Sequence, residues 1–267
     1  MSNTRSVLIT GASSGLGSAM AERMAARGWR VFGTSRRMQP ASESIEWIEM
    51  DVCDDTSVEK ALSFVFERTP QLDGLVCNAG YGIYGSIEET PLTRARSQFE
   101  TNFFGVLRVL TPVVTHMRER NAGRILLVGS LSGRAPIPFQ AHYSASKAAI
   151  ESLTFTLINE LDRFEIQVSL IEPGDIQTPF NDVMDWGETD PSSAYAETSA
   201  RCEKMIRESL PKAPGPELVA DAVEQALTAR RPRVRYAVGR EAGLVGLGKR
   251  LFSDRLSLKL IRDHYGI

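Results

Sequence analysis

Short apolar runs rich in β-branched residues alternate with long amphipathic segments along most of this 267-residue chain. Such alternation is typical of βαβ units, in which helices connect parallel strands. Three strand runs are almost wholly apolar, as strands covered by helices on both faces must be: residues 7–9, 125–128 and 168–171. The sequence therefore predicts an α/β fold, a doubly wound Rossmann-type sheet of about seven parallel strands with helices on both faces.

The alternation also predicts where the elements lie. The predicted strands are residues 6–10, 30–33, 45–50, 74–77, 124–129, 166–171 and 234–238, and the predicted helices are 15–27, 56–68, 94–118, 143–163 and 216–230. No composition shift, low-complexity tract or repeat divides the chain, so we expect one domain over residues 1–267. Two regions stand outside the alternation, residues 178–214 and 240–267.

Composition excludes several classes of protein. Hydrophobic residues make up 42% of the chain and charged residues 24%, which is the balance of an ordinary globular protein. A net charge of −2 gives no global attraction to nucleic acid or anionic lipid. Three dispersed cysteines suggest neither a disulfide framework nor a metal site. With no signal peptide and no run of about 20 apolar residues, we expect a cytoplasmic protein without a transmembrane segment.

A glycine-rich turn follows the first predicted strand and leads directly into a helix. Its residues are Thr10, Gly11, Ala12, Ser13, Ser14, Gly15, Leu16 and Gly17. Glycines allow a sharp bend and bring backbone N–H groups close to a pyrophosphate, to which the helix N-terminus adds its positive dipole end. Purely steric turns also use glycine, and the G-x-x-x-G-x-G spacing departs from the G-x-G-x-x-G fingerprint. The turn alone therefore leaves a dinucleotide site and a structural turn both open.

The residue that closes the second strand distinguishes the two nicotinamide dinucleotides. An acidic side chain there accepts from the ribose 2′-OH, whereas an arginine accommodates a 2′-phosphate. Arg36 stands at this place, and no acidic residue follows before Glu43. Ser13 can add a hydroxyl donor, and a solvated arginine pair is the alternative interpretation. The sequence favours NADP(H) over NAD(H).

Tyr143 and Lys147 lie four residues apart at the start of a predicted helix and therefore share one face. A nearby cation favours the phenolate and lowers the pKa of a tyrosine, so the pair can exchange a proton with a substrate hydroxyl. Ser130 follows an apolar strand at the sheet edge where ligands bind, and it can donate to a carbonyl oxygen as charge develops there. Alone, the Tyr-Lys spacing would more often mark an exposed helix face.

Together these motifs resemble those of the classical short-chain dehydrogenase/reductases over about residues 6–178. Further matches to the family are Asp51, Val52, Asn78, Ala79, Gly80, Asn102, Pro173, Gly174 and Thr178. The resemblance implies that Tyr143 is the acid/base, that Lys147 also binds the nicotinamide ribose and that Asn102 orders a water for proton relay. Many members have serine at the position of Gly129, but the spacing to Tyr143 selects Ser130 over Ser132.

The same resemblance implies which residues contact the cofactor. They are Gly11, Ser13, Ser14, Gly15, Leu16, Gly17, Arg36, Asp51, Val52, Asn78, Ala79, Gly80, Tyr143, Lys147, Pro173, Gly174 and Thr178. The predicted activity is hydride transfer between NADP(H) and an alcohol or ketone. A cofactor-binding sensor or scaffold without turnover is the alternative, although it would not need the proton-transfer residues. A nucleotide-sugar epimerase is a third, for which the chain is short and the glycine spacing wrong.

Residues 178–214 correspond to the family's substrate lid. Their larger apolar side chains are Phe180, Val183, Met184, Trp186, Tyr195, Met205 and Ile206. We expect them to favour a hydrophobic alcohol or ketone, because small-molecule pockets are mostly apolar, although a helix that packs on the body would look similar. Motif variants resemble those of 17β-hydroxysteroid and retinol dehydrogenases.

The C-terminal segment 240–267 is basic and amphipathic. We expect it to cover the substrate cleft or a neighbouring subunit rather than a membrane surface. By resemblance, residues 94–118 and 143–163 form the dimer face, which implies a homodimer or homotetramer. We predict no catalytic role for His142 and none for a carboxylate pair of Glu172 and Asp175.

Overall fold

The computed structural model describes residues 4–181, 184–187 and 190–267. Its centre is a parallel sheet of seven strands in the order β3-β2-β1-β4-β5-β6-β7. The strands are β1 (Ser6–Ile9), β2 (Arg30–Ser35), β3 (Ile45–Glu49), β4 (Gly74–Cys77), β5 (Gly123–Val128), β6 (Ile166–Pro173) and β7 (Arg235–Val238). The predicted doubly wound α/β architecture is confirmed.

Helices connect these strands and cover both faces of the sheet. They are α1 (Gly15–Ala26), α2 (Asp55–Arg68), α3 (Leu92–Phe99), α4 (Gly105–Arg120), α5 (Ala141–Leu161), α6 (Ala196–Ser209), α7 (Glu217–Thr228), α8 (Ala242–Leu251) and α9 (Asp254–Tyr265). The single helix predicted over 94–118 is wrong in one respect, because a π-helical segment, Glu100–Phe104, separates α3 from α4. That segment carries Asn102, and such wide turns are frequent at functional sites.

Strand β1 divides its side chains between two cores, as alternation along a strand requires. Leu8 packs into a cluster with residues of α2, α4 and α5, among them Val109 and Leu157. Val7 and Ile9 pack into a second cluster with α1 and α7 on the opposite face. All three β1 side chains are fully buried, so the strand that leads into the glycine-rich turn is fixed from both faces.

The strand order reverses beside β1, whose neighbours are β2 on one side and β4 on the other. Loops that leave the carboxyl ends of β1 and β4 therefore diverge and open a crevice, which is where open α/β sheets bind ligands. Beyond the crevice, α9 packs on α6 of the predicted lid region. Among the described residues, no helix combines the length and the apolar character that crossing a bilayer would require.

Candidate active site

The glycine-rich turn is tied to the end of β4 by hydrogen bonds. Thr10 Oγ1 accepts from the backbone N–H groups of Asn78 (2.9 Å) and Ala79 (3.0 Å). The Asn78 carboxamide donates in return to the carbonyl oxygens of Thr10 (2.9 Å) and Gly11 (3.1 Å). The predicted Asn78-Ala79-Gly80 motif thus holds the turn in place. The sequence did not reveal that the hydroxyl of Thr10 is the link.

The turn leaves no space for side chains at two of its glycines. Gly11 has a φ of +65°, and a Cβ on it would lie 2.9 Å from the Cα of Ala79. A Cβ on Gly17 would overlap the carbonyl group of Gly11 and lie 2.8 Å from Nδ2 of Asn78. Ser14, which precedes α1, makes no side-chain cap, so the first N–H groups of α1 are left for a ligand. This backbone surface fits a dinucleotide pyrophosphate.

A cleft of about 1000 Å³ runs along the carboxyl edge of the sheet from this turn. All of the predicted cofactor residues line it, as do Ser130, Tyr143 and Lys147. Thr178 reaches across the cleft, since a Cβ on Gly15 would lie 3.5 Å from the Cβ of Thr178. Of the predicted site residues, only Asn102 does not line the cleft. The structure therefore brings the sequence motifs together around one elongated cavity.

One end of the cleft carries Arg36 and Arg37, both exposed. In the part of the chain that the structure describes, neither arginine has a salt-bridge partner. Asp51, on the same wall, accepts a hydrogen bond from the backbone N–H of Cys53 (2.9 Å). This end of the cleft can therefore receive an additional anionic group.

Tyr143 lies in the first turn of α5, with its ring centroid 5.8 Å from that of Phe180. Burial raises the pKa of the phenol, while the hydroxyls of Ser130 and Ser132 lower it and the charge of Asp175 raises it. The expected lowering by the lysine cation is not what the structure shows, because desolvation is the largest effect. Tyr143 is therefore protonated in this structure and has a proton available for transfer.

Lys147 is buried against β5, and its Nζ donates to the carbonyl oxygen of Val128 at 2.9 Å. Its ammonium lies 5.8 Å from the centroid of the Tyr143 ring. Desolvation lowers the pKa of Lys147 to about 8, so the group is mostly charged at neutral pH and loses its charge in mildly alkaline solution.

Asn102 acts on the loop after β4 rather than on the cleft surface. Its Nδ2 donates to the carbonyl oxygen of Tyr81 (2.9 Å) and to Ser146 Oγ (3.2 Å), and its Oδ1 accepts from the N–H of Tyr81 (3.0 Å). Gly80 lies between Asn102 and Lys147, since a Cβ on it would lie 3.1 Å from Asn102 Oδ1 and 3.7 Å from Lys147 Nζ. Asn102 thus fixes the backbone beside Lys147.

Two serine hydroxyls lie near the tyrosine. Ser130 precedes a short 3₁₀ turn, Leu131–Gly133, where its Oγ accepts from Ser132 N at 3.1 Å and contacts the Pro173 carbonyl oxygen at 3.4 Å. Ser132 Oγ is buried and has no hydrogen bond of normal geometry among the described residues. Both serines line the cleft, and Ser130 is the more exposed of the two; its choice over Ser132 stays a prediction.

The substrate end of the cleft is built differently from the prediction. Of the described apolar lid residues, only Phe180 and Ile206 line the cleft. Met184 is buried and Met205 is exposed, while Trp186 packs against Tyr84 with ring centroids 5.2 Å apart. Tyr195 does not line the cleft either, and Val183 lies outside the described residues.

Other apolar side chains of this end come from three segments. Leu210 belongs to the predicted lid region and Val245 to the predicted C-terminal tail, whereas Ile137 lies in a segment for which no role was predicted; Glu241 lines the cleft beside them. Val245 belongs to α8, so the tail does cover the cleft, as one of its predicted roles required. Only its amphipathic pattern could have indicated this contact.

Of the three residues for which no catalytic role was predicted, Glu172, Asp175 and His142, only Asp175 lines the cleft, where its charge raises the pKa of Tyr143. Glu172 is buried in an ion pair with Arg235, which also pairs with Glu151. Asp175 accepts from Ser209 Oγ at 3.0 Å and forms no dyad with Glu172. His142 is not among the residues that line the cleft.

Comparison with known proteins agrees with this geometry. Residues 5–188 match the family model described as short chain dehydrogenase. The chain belongs to the short-chain dehydrogenase family. It is 34% identical over 234 residues to 3-ketodihydrosphingosine reductase of Bacteroides thetaiotaomicron, covering 87% of each chain. It is 33% identical over 253 residues to estradiol 17-beta-dehydrogenase 1 of Rattus norvegicus, covering 86% of this chain and 72% of that one.

A solved structure extends the likeness to the whole chain. The short-chain dehydrogenase from Streptomyces avermitilis superposes with a TM-score of 0.84 at 31% identity, covering 97% of this chain and 96% of that one. Family membership makes the protein an oxidoreductase that acts on CH–OH or keto groups of small molecules.

Proposed function

We propose that the protein is an NADP(H)-dependent carbonyl reductase or alcohol dehydrogenase for an apolar substrate, with Tyr143 as its general acid/base. The observation that carries the proposal is the placement of Ser130, Tyr143 and Lys147 in the same cleft as the glycine-rich turn. A bound nicotinamide would supply or accept the hydride in that cleft.

The chain's own residues would hold the dinucleotide at three places. The N-terminus of α1 and the Gly11–Gly17 backbone would receive the pyrophosphate, because their N–H groups are free of side-chain caps. Asp51 and Val52 would flank the adenine end, and Thr178 would close over the turn beside Gly15.

Proton transfer would take place at Tyr143. In ketone reduction its hydroxyl donates a proton to the developing alkoxide, and in alcohol oxidation the phenolate accepts that proton. Ser130 donates a hydrogen bond to the same oxygen. The charged form of Lys147 stabilises the phenolate left after donation and can reach a ribose hydroxyl. Asn102 acts as a positioning residue for the backbone beside Lys147, and the relay water implied by the family resemblance would depend on it.

Preference for NADP(H) over NAD(H) is supported by Arg36. This exposed guanidinium lines the cleft beyond the end of β2 and has no salt-bridge partner among the described residues, so it can pair with a 2′-phosphate. No acidic residue follows it before Glu43.

An apolar substrate is supported by Ile137, Phe180, Ile206, Leu210 and Val245, which line the far end of the cleft. The two named relatives bear the names of a keto lipid and a steroid. A sensor without turnover is less well supported, because those relatives are named as a reductase and a dehydrogenase. The proposal includes a single domain, a cytoplasmic location and a homodimer or homotetramer.

The direct test is oxidation of NADPH and NADH by the purified protein against hydrophobic ketones, including steroid and long-chain keto compounds, with short polar ketones as matched controls. We expect turnover with NADPH and the apolar ketones. Tight NADPH binding without turnover across the panel would favour the sensor. Equal rates with NADH and NADPH would contradict the cofactor assignment. Equal rates with short polar and with apolar ketones would contradict the substrate assignment.

A further inference from the structure

The C-terminal tail presents a row of leucines to solvent above the cleft. In α8, Leu244, Leu247 and Leu251 are 74%, 54% and 67% exposed. Their spacing of i, i+3 and i+7 places them on one stripe of the helix. Val245, on another face of the same helix, lines the cleft. α8 therefore covers the cleft with one face and exposes a leucine stripe with the opposite one.

The exposed apolar surface continues through the link into α9. Phe252 is 42% exposed, and Leu256 and Leu260, which lie four residues apart on one side of α9, are 42% and 45% exposed. The inner face of α9, which includes Tyr265, is only partly exposed and packs toward α6. We call the exposed side chains of Leu244, Leu247, Leu251, Phe252, Leu256 and Leu260 the tail surface.

The charge of the tail is opposite to that of the rest of the chain. Residues 240–267 contain six Arg and Lys against three Asp and Glu, a net charge of +3, so the remaining residues carry −5 of the total of −2. Arg250, Arg255, Lys259 and Arg262 are exposed among the leucines. None of the salt bridges found among the described residues uses these four side chains.

We propose that the tail surface docks on a membrane that contains anionic phospholipids. Helices that lie in a bilayer interface combine exposed Leu and Phe side chains with Lys and Arg, and their affinity rises with anionic lipid. A symmetric contact between two copies through this surface would bring the basic side chains of the two tails together, which disfavours it.

Docking in this way places the outer face of α8 against the lipid and its inner face above the substrate end of the cleft. An apolar substrate dissolved in the bilayer would then reach the cleft past α8 with little exposure to water. The lipid contact itself involves no residue of the proton-transfer site, so membrane binding and turnover are separable.

The test is co-sedimentation of the full-length protein with vesicles of phosphatidylcholine alone or with roughly 30% phosphatidylglycerol. We expect binding to the anionic vesicles to exceed binding to the neutral ones by about tenfold or more at low salt and to weaken at high salt. Wild-type protein that sediments with neither vesicle would overturn the proposal.

Two variants separate the apolar and ionic contributions. Leu244→Ser with Leu251→Ser should reduce binding to anionic vesicles by about tenfold, and so should Arg255→Glu with Arg262→Glu. The matched controls are Leu92→Ser with Leu218→Ser, which alters two exposed leucines of the body, and Lys60→Glu with Arg231→Glu. Equal losses in tail and control variants would contradict docking by the tail surface.

Insertion of α8 into the bilayer can be measured separately, by tryptophan fluorescence. Tryptophan emission from Leu247→Trp should shift to the blue with anionic vesicles, and an unshifted spectrum would overturn insertion of α8.

A wild-type oligomer that the leucine variants dissociate, without any vesicle binding, would assign the tail surface to a second copy instead. Tyr143→Phe should sediment like the wild type, so this result stands apart from any failure of the proposed activity.

Discussion

The two ends of the cleft are built in different ways. The cofactor end is formed by backbone, with Gly11 and Gly17 so close to neighbouring groups that no side chain fits. The substrate end is formed by side chains from four separate places, represented by Ile137, Phe180, Ile206 and Val245. A backbone surface recognises a pyrophosphate in the same way in many proteins, whereas a wall of side chains can change one residue at a time. Substrate choice is therefore the more variable property of this fold.

The largest effect on cofactor binding is expected at Gly17, where one backbone segment lies directly against another. Gly17→Ala places a methyl group against the carbonyl of Gly11, so we expect NADPH affinity to fall by roughly 3 kcal/mol or more, about 150-fold. Gly246→Ala is the control, because a Cβ there meets nothing within 4 Å. Titration of NADPH by fluorescence measures both. A Gly17→Ala variant with wild-type affinity for NADPH would show that the turn is not part of the cofactor site.

Arg36→Asp tests the end of the cleft that distinguishes the two dinucleotides. Loss of a charge-assisted contact to the 2′-phosphate should cost about 2 to 3 kcal/mol of NADPH binding and leave NADH binding equal or tighter. Arg37→Asp provides a neighbouring charge reversal on the same cleft wall. If the ratio of NADPH to NADH affinity is unchanged in Arg36→Asp, or changes equally in Arg37→Asp, Arg36 does not bind the 2′-phosphate.

Lys147→Met tests how much the burial of a charged side chain, where the two ends of the cleft meet, destabilises the fold. The pKa of Lys147 falls from 10.5 to about 8, so the unfolded chain binds the proton more tightly and the buried ammonium destabilises the fold at pH 7. We expect the variant to lose activity but gain about 1 to 3 kcal/mol in free energy of unfolding at pH 7.

The change in the free energy of unfolding with pH tests the direction of this effect. Wild-type stability should rise with pH between about 8 and 10.5, where the unfolded chain still binds the proton, so the advantage of the methionine variant should shrink over this range. Urea unfolding across this range measures it, with the exposed Lys60→Met as control. A variant less stable than wild type at pH 7 would contradict the desolvation argument.

Phe180→Ala should have the smallest effect and one confined to the substrate end. We expect kcat/KM for a bulky apolar ketone to fall by about tenfold, or roughly 1.4 kcal/mol, from lost apolar contact, while NADPH affinity stays within about twofold. Met205→Ala, on α6 but away from the cleft, is the matched control. A comparable loss of NADPH affinity would mean that the two ends are not independent.

The same contrast explains what the sequence could predict. The strands of the doubly wound sheet and the glycine-rich turn could be predicted, because they follow from apolar runs and from glycines whose positions are dictated by backbone sterics. The break between α3 and α4 was missed because one wide turn at Glu100–Phe104 hardly disturbs helical periodicity. The hydrogen bonds of Thr10 and the lining by Ile137 were missed because they depend on contacts between residues distant in the chain.

The lid shows why apolar residues alone do not define a pocket. Met184 and Trp186 are as apolar as Phe180, yet only Phe180 lines the cleft. Which side chain points inward depends on how the segment packs on Tyr84 and Arg94, whose rings and charges engage it from the body of the protein. Residue type cannot provide that information without the tertiary contacts.

The account depends most on Tyr143 as the proton donor between the two ends of the cleft, and Tyr143→Phe tests it with the ring left in place. NADPH affinity and kcat would be measured on the same preparation, with the best ketone from the panel. We predict that kcat falls by about 100- to 10,000-fold while the Kd for NADPH changes by less than about twofold. A variant that keeps more than about a tenth of the wild-type kcat would remove Tyr143 from the mechanism.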